Sequence, residues 1–142
     1  MGPQVRNQQF AHQAQDRPTV RALVVEDNVD DLSYLSTVLR AQGCDVVACA
    51  SHEEALLRLQ VGSFEFIVVT QGSCAFEGRR VLERAIEINR HTPVLVLTRC
   101  LEMSCYLEAM QLGAVDYLEK PVSPEQIAWV LETHLRRSSP EA

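Results

Sequence analysis

The chain has no apolar run long enough to span a bilayer, which excludes a membrane-crossing helix. Its first residues hold no apolar stretch of the secretory kind, and Pro3 spoils Met1-Gly2 as a start for myristoylation. It also lacks positive charge. Lys and Arg number 13 against 19 Asp and Glu, a formal charge of -6, whereas a nucleic-acid surface needs a basic face. CxxC spacing is missing, and the five cysteines (Cys44, Cys49, Cys74, Cys100 and Cys105) are odd in number. They read as buried thiols in a reducing cytosol, not as a zinc or disulfide framework. There is no internal repeat. These absences point to a cytoplasmic protein without a membrane or direct nucleic-acid partner.

What is present is an ordinary globular balance, 46% hydrophobic and 23% charged, at a length of 142 residues that suits one domain. Residues 1–18 are rich in Gln, Asn and Arg without hydrophobic period, and read as a mobile tail or tag remnant. The folded domain is expected over 19–137, with 138–142 a short C-terminal tail.

From Val20 the pattern alternates. Ala22–Val25 is an apolar strand followed at once by Glu26-Asp27-Asn28. Leu32, Leu35, Val38 and Leu39 recur at helical spacing, with Gly43 just past the last turn. Cys44–Cys49 reads as a second strand, and Ser51 with Glu54 as a capping box ahead of Ala55, Leu56 and Leu59. Phe64–Val69 is a third strand, apolar throughout, as one covered on both faces should be. Gly78–Asn89 is helical, Pro93–Leu97 a fourth strand, Leu101–Leu112 a helix stopped near Gly113, and Val115–Leu118 a short fifth strand. Ser123 with Gln126 caps a last helix running to about Arg137. Five strand–helix units in strict alternation imply an α/β fold with a parallel sheet covered on both faces. In such sheets functional groups gather at the carboxyl ends of the strands. That rule selects Glu26-Asp27, Thr70, Thr98 and Lys120.

These residues, in the stretches ALVVEDN, VLVLT and GAVDYLEKP, resemble the receiver domain of bacterial two-component response regulators (CheY-like), over about residues 20–137. Gly78 stands eight residues after Thr70, as a glycine does after the family's phosphate acceptor. The resemblance implies a doubly wound, flavodoxin-like (βα)5 three-layer sandwich with strand order 2-1-3-4-5. It implies Asp27 as a Mg²⁺ ligand, Glu26 as the outer acid, and Thr98 and Lys120 as phosphate contacts. Thr98 would couple to Tyr117, whose ring moves between outward and inward positions. Metal, lysine and hydroxyl together would neutralise a transferring phosphoryl group.

Three positions depart from the pattern. The acceptor position holds Thr70, a neutral hydroxyl that is a poor nucleophile without a base. The family's proline four residues later is Cys74, and the small residue after the fourth strand is Arg99. Glu26 and Asp27 against Lys120 and Arg99 balance in charge without a metal, so Mg²⁺ binding is expected to be weak, with Arg99 or Lys120 paired to the acids. The competing reading leaves Arg99 in solvent.

Cys74 and Cys100 follow strands expected to be neighbours, so a thiol switch between them is conceivable, although most free cysteines are inert. His52, His91 and His134 read as surface or helix-edge residues, and His12 lies in the tail. At ~100° per residue Trp129 falls opposite the stripe of Ile127, Leu131, His134 and Leu135, and is expected to be exposed. With Val130, Tyr106 and Tyr117 it is a candidate interface on the fourth helix, fifth strand and fifth helix, the family's common output surface. The leading expectation is a non-enzymatic interaction module that works without phosphorylation, binding a signalling partner or a second copy. The alternative is a regulator still controlled at the site, through Ser73 or Thr70 as acceptor or through the thiols. A flavodoxin-like enzyme is disfavoured, because Glu26-Asp27 stands where a phosphate-cradling loop would lie. No output domain is recognisable after Leu135, so the chain is either a stand-alone regulator or a receiver cut from a longer protein.

Overall fold

Each central strand sends alternate side chains into two apolar layers, and this alternation sets the architecture. The computed structural model describes residues 19–135. Its elements run β1 (Val20–Val25), α1 (Val29–Ala41), β2 (Cys44–Cys49), α2 (His52–Val61), β3 (Phe66–Thr70), α3 (Arg79–Ile88), β4 (Val94–Thr98), α4 (Met103–Leu112), β5 (Asp116–Glu119) and α5 (Pro124–His134). The strands form one parallel sheet in the order β2-β1-β3-β4-β5, as expected.

One layer takes Leu23, Val25, Ile67, Val69, Val94 and Val96 against α2, α3 and α4. The other takes Ala22, Val24, Phe66, Val68, Leu95 and Leu97 against α1 and α5. β3 and β4 are buried at every position, which is why they read as unbroken apolar runs. The edge strands β2 and β5 alternate with polar and half-buried residues.

The helix ends follow local chemistry. Asn28 caps α1 by accepting from the Asp31 amide at 2.9 Å. Gly43 follows α1 with φ +93°, a conformation that favours glycine. The α5 capping box of Ser123 and Gln126 is complete. The box at α2 is not: the Ser51 hydroxyl accepts from the Glu54 amide, but the Glu54 carboxylate reaches the Ala50 amide at 3.1 Å instead of its own cap. β3 starts at Phe66, two residues later than the apolar run. Phe64 is buried but precedes the ladder, and Arg21 lies over its ring at 5.0 Å. The last helix ends at His134 with Leu135 as its C-cap, and the expected tails at 1–18 and 138–142, with 136–137 of the expected helix, lie outside the described residues.

Candidate functional site

The register brings the selected residues to one edge of the sheet. Val25 stands opposite Val69, Thr70 opposite Leu97, and Thr98 opposite Glu119, so Glu26, Thr70, Thr98 and Lys120 all emerge at the carboxyl ends. β1 leads to β2 on one side and its neighbour β3 lies on the other, which makes this the topological switch point. A cavity of about 580 Å³ opens there, walled by Glu26, Asp27, Thr70, Arg99 and Lys120, with His52, Ser73 and Glu77 on its other side.

Lys120 and Glu26 form the centre. The Lys120 ammonium lies 2.5 Å from Glu26 Oε1, with side-chain exposures of 9% and 2%. Glu26 also accepts from the Asn28 amide at 3.0 Å. Lys120 reaches Asp31 Oδ2 at 3.3 Å, and Arg99 pairs with the same oxygen. Arg99 therefore has a carboxylate partner, although its side chain stays 62% exposed. That partner is Asp31, which the sequence reading did not include. Asp31 looked like an ordinary acid in the first turn of a helix, and only the fold shows that it faces β4 and β5. With Asp31, the pocket thus holds four carboxylates (Glu26, Asp27, Asp31 and Glu77) against two cations, so its charge is more negative than the balanced count expected.

Asp27 is exposed on the cavity wall and has no ion-pair partner among the described residues. Magnesium requires several hard oxygen ligands in near-octahedral order. Glu26 is committed to Lys120, Asp31 to Arg99 and Lys120, and Thr70 supplies a hydroxyl where a carboxylate is needed. No group of three His, Cys, Asp or Glu is arranged to hold a metal among the described residues. This donor set does not fit a tightly held Mg²⁺.

Thr70 is 5% exposed at the end of β3. Its carbonyl meets His52 Nε2 at 3.1 Å, so His52 belongs to the pocket and is not the plain helix-edge residue expected. Gly78 passes so close that a Cβ there would lie 2.2 Å from the Thr70 carbonyl oxygen. Ser73 gives both its amide and its hydroxyl to the Glu77 carboxylate, at 2.7 and 2.8 Å, and these bonds hold that carboxyl below its ordinary range.

Thr98 turns into its own loop. Its hydroxyl donates to the Cys100 carbonyl at 2.9 Å and accepts from the Cys100 amide at 3.1 Å, and it does not line the cavity. Tyr117 is buried, and burial pushes its phenol up. Its hydroxyl donates to Gln71 Oε1 and accepts from the Glu102 amide at 3.3 Å. Gln71 is a further residue the sequence did not reveal.

Of the interface candidates, Trp129 is 59% exposed, as expected, and Tyr106 39%. Tyr117 and Val130 are buried and offer no interface surface. Val130 lies three residues past Ile127 and shares its inward stripe, a relation the drawn stripe omitted. Cys44, Cys49 and Cys105 are buried as expected, whereas Cys74 and Cys100 are exposed. The cysteine that approaches the Cys74 loop is Cys105, whose Sγ lies 3.8 Å from the Cys74 carbonyl.

The response regulator receiver domain family matches residues 22–132. Among solved structures, a CheY-like receiver domain protein from Methanospirillum hungatei JF-1 has a TM-score of 0.79 at 22% identity, covering 88% of this chain and all of that one. A response regulator from Burkholderia pseudomallei, carrying a phosphorylated aspartic acid, a calcium ion and citrate, has a TM-score of 0.73 at 27% identity, covering 86% and 72%. Among curated proteins, the transcriptional regulatory protein ZraR of Salmonella typhimurium is 27% identical over 128 residues, 88% of this chain and 29% of its own length. CutR of Streptomyces coelicolor is 32% identical over 122 residues, 85% and 56%. The chain thus spans between about a quarter and about half of the curated relatives it matches.

Proposed function

Because the chain belongs to the response regulator receiver domain family, we propose that it serves two-component signalling as an interaction module whose state does not depend on an aspartyl phosphate. The observation that carries this reading is the carboxyl end of β3. A threonine stands at the acceptor position, and the lysine that would meet a phosphoryl group is already paired with buried Glu26. A neutral hydroxyl forms no acyl phosphate, and Lys120 and Glu26 on the same cavity are engaged with each other. The same pairing supports weak Mg²⁺ binding at Glu26 and Asp27. The partner surface we assign is α4–β5–α5, where Tyr106 and Trp129 offer exposed aromatic area to a signalling protein or a second copy. Control through Ser73 has less support, because its hydroxyl is already donated to Glu77.

The test is treatment with acetyl phosphate, and separately with beryllofluoride, in the presence of Mg²⁺. We expect no gain in mass from the first, and no shift of the Thr98 and Tyr117 resonances from the second. Incorporation of one phosphate sinks the proposal.

A further inference from the structure

Tyr117 occupies a place that two loops and the α4 helix share. From the β3–α3 loop, Gln71 receives the phenolic proton on its Oε1 and gives its own amide Nε2 to the Ser73 carbonyl at 3.2 Å. From the β4–α4 loop, the Glu102 amide donates to the Tyr117 hydroxyl at 3.3 Å. Glu102 is the N-cap residue of α4, and its own side chain makes no cap bond. The first turn of that helix is therefore tied to the sheet through the tyrosine. The Tyr106 ring meets the Tyr117 ring edge-on at 5.7 Å and roofs it over.

Gln71 is suited to this task. It is 2% exposed, its backbone amide is fixed to the Leu97 carbonyl at 2.7 Å, and its carbonyl accepts from the Gly78 amide at 3.0 Å. A side-chain amide held at both ends of its backbone has little freedom to leave. A buried phenol without an acceptor is costly, so the two groups hold each other. Two further links run the same way: Cys105 Sγ to the Cys74 carbonyl at 3.8 Å, and Arg79 to Glu108 at 2.6 Å.

We propose that Gln71 is a positioning residue that latches Tyr117 in its buried place, and so holds the β4–α4 loop and the start of α4 in one conformation without a phosphoryl group. The proposal deepens the reading above, since it rests on the pocket working without phosphate. The Thr98 hydroxyl is bonded within its own loop to Cys100 and also acts on the Tyr117 phenol, so Gln71 shares the hold with it.

The experiment is NMR on the whole chain and on Gln71→Met, which keeps the shape of the side chain and removes its acceptor. In the unaltered protein, Tyr117 is expected in a single side-chain rotamer with contacts to Gln71. In the variant, amide exchange at Glu102 is expected to rise by about two- to tenfold, the range that one net hydrogen bond accounts for. Exchange at Val68 and Leu95, in the sheet core, is expected to stay unchanged. Tyr117→Phe removes the same bond and also the acceptor of the Glu102 amide, so it is expected to raise Glu102 exchange more than Gln71→Met does. Unchanged Glu102 exchange in a folded Gln71→Met, or averaged Tyr117 rotamers in the unaltered chain, overturns the latch. The second observation needs no variant, so a misfolded Gln71→Met leaves the idea open to refutation. Phosphate incorporation with the Tyr117 signals unchanged would sink the phosphorylation-independent reading and leave the latch standing.

Discussion

Lys120 is the sole lysine of the chain, and it is turned inward onto a glutamate that solvent hardly reaches. Two charges out of water stabilise each other mainly by sparing each other's isolation, so the loss of one is felt more than the loss of both. Lys120→Met is expected to destabilise the fold by about 3 kcal/mol or more in urea unfolding, because it strands the Glu26 carboxylate. Adding Glu26→Gln should recover most of that loss. A cost below about 1 kcal/mol for Lys120→Met would place the pair with ordinary surface contacts. Arg99→Ala, by contrast, removes an exposed partner of Asp31 and should cost under about 1 kcal/mol. A second residue-scale prediction concerns alkaline pH. Burial, with Glu54 nearby, pushes the Cys49 thiol up to about 11 from an ordinary value of 9.0. The unfolded thiol ionises first, so this residue's contribution is fully present below pH 9 and is lost as pH rises towards 11. The loss comes to about 3 kcal/mol. Cys49→Ala should flatten the fall of stability across that window by up to one proton, whatever its packing cost at neutral pH. Equal slopes would show that the thiol ionises as readily folded as unfolded.

At the scale of elements, the join between β3 and α3 is the most tightly built. Gly78 has an ordinary φ of -69°, so glycine is needed for space and not for backbone freedom. An added methyl would meet backbone, the Thr70 carbonyl oxygen at 2.2 Å, and backbone yields little. Gly78→Ala is expected to cost about 2–4 kcal/mol and to shift the Thr70 and Gln71 amide signals more than those of β2. A neutral result would show that α3 swings away freely. The same join marks what the sequence could and could not disclose. β1, β3 and β4 were legible because burial on both faces demands unbroken apolar runs, and α5 because its cap chemistry is local. Glu26, Thr70 and Lys120 were legible because strand ends in an alternating α/β chain converge. Asp31, His52 and Gln71 were not. Each works through partners at least 18 residues away, and no local periodicity distinguishes a helix acid that meets Arg99 from one that meets water. Val130 was misplaced for a different reason: a stripe drawn at i+4 and i+7 leaves out the i+3 neighbour that also faces the core.

At the scale of the whole molecule, the sheet gathers charge from α1, β1, the β4–α4 loop and the end of β5 into one cavity, and the outcome is a question of balance. Four carboxylates meet two cations, leaving two net negative charges, with Glu77 hydrogen-bonded to Ser73 and Asp27 exposed. Magnesium would have to take Glu26 from Lys120 or Asp31 from Arg99, and it dehydrates reluctantly. Weak attraction without a ready coordination sphere predicts a small linkage effect. A ligand at ten times its dissociation constant raises unfolding stability by about 1.4 kcal/mol, and one at its dissociation constant by about 0.4 kcal/mol. In about 10 mM Mg²⁺ the unaltered protein is expected to gain no more than the smaller figure, as a site of ~10 mM affinity or weaker would give. Arg99→Ala is the informative comparison, because it removes one of the two cations on Asp31 Oδ2 while leaving the buried Lys120–Glu26 pair in place. Its Mg²⁺-dependent gain should exceed that of the unaltered chain by a few tenths of a kcal/mol or more, and excess NaCl at matched ionic strength should not reproduce it. A gain above about 1 kcal/mol in the unaltered chain would mean that the metal displaces the lysine. The pocket would then be a working cation site with an unusual acceptor position, and the ion-pair network a resting arrangement that the metal opens.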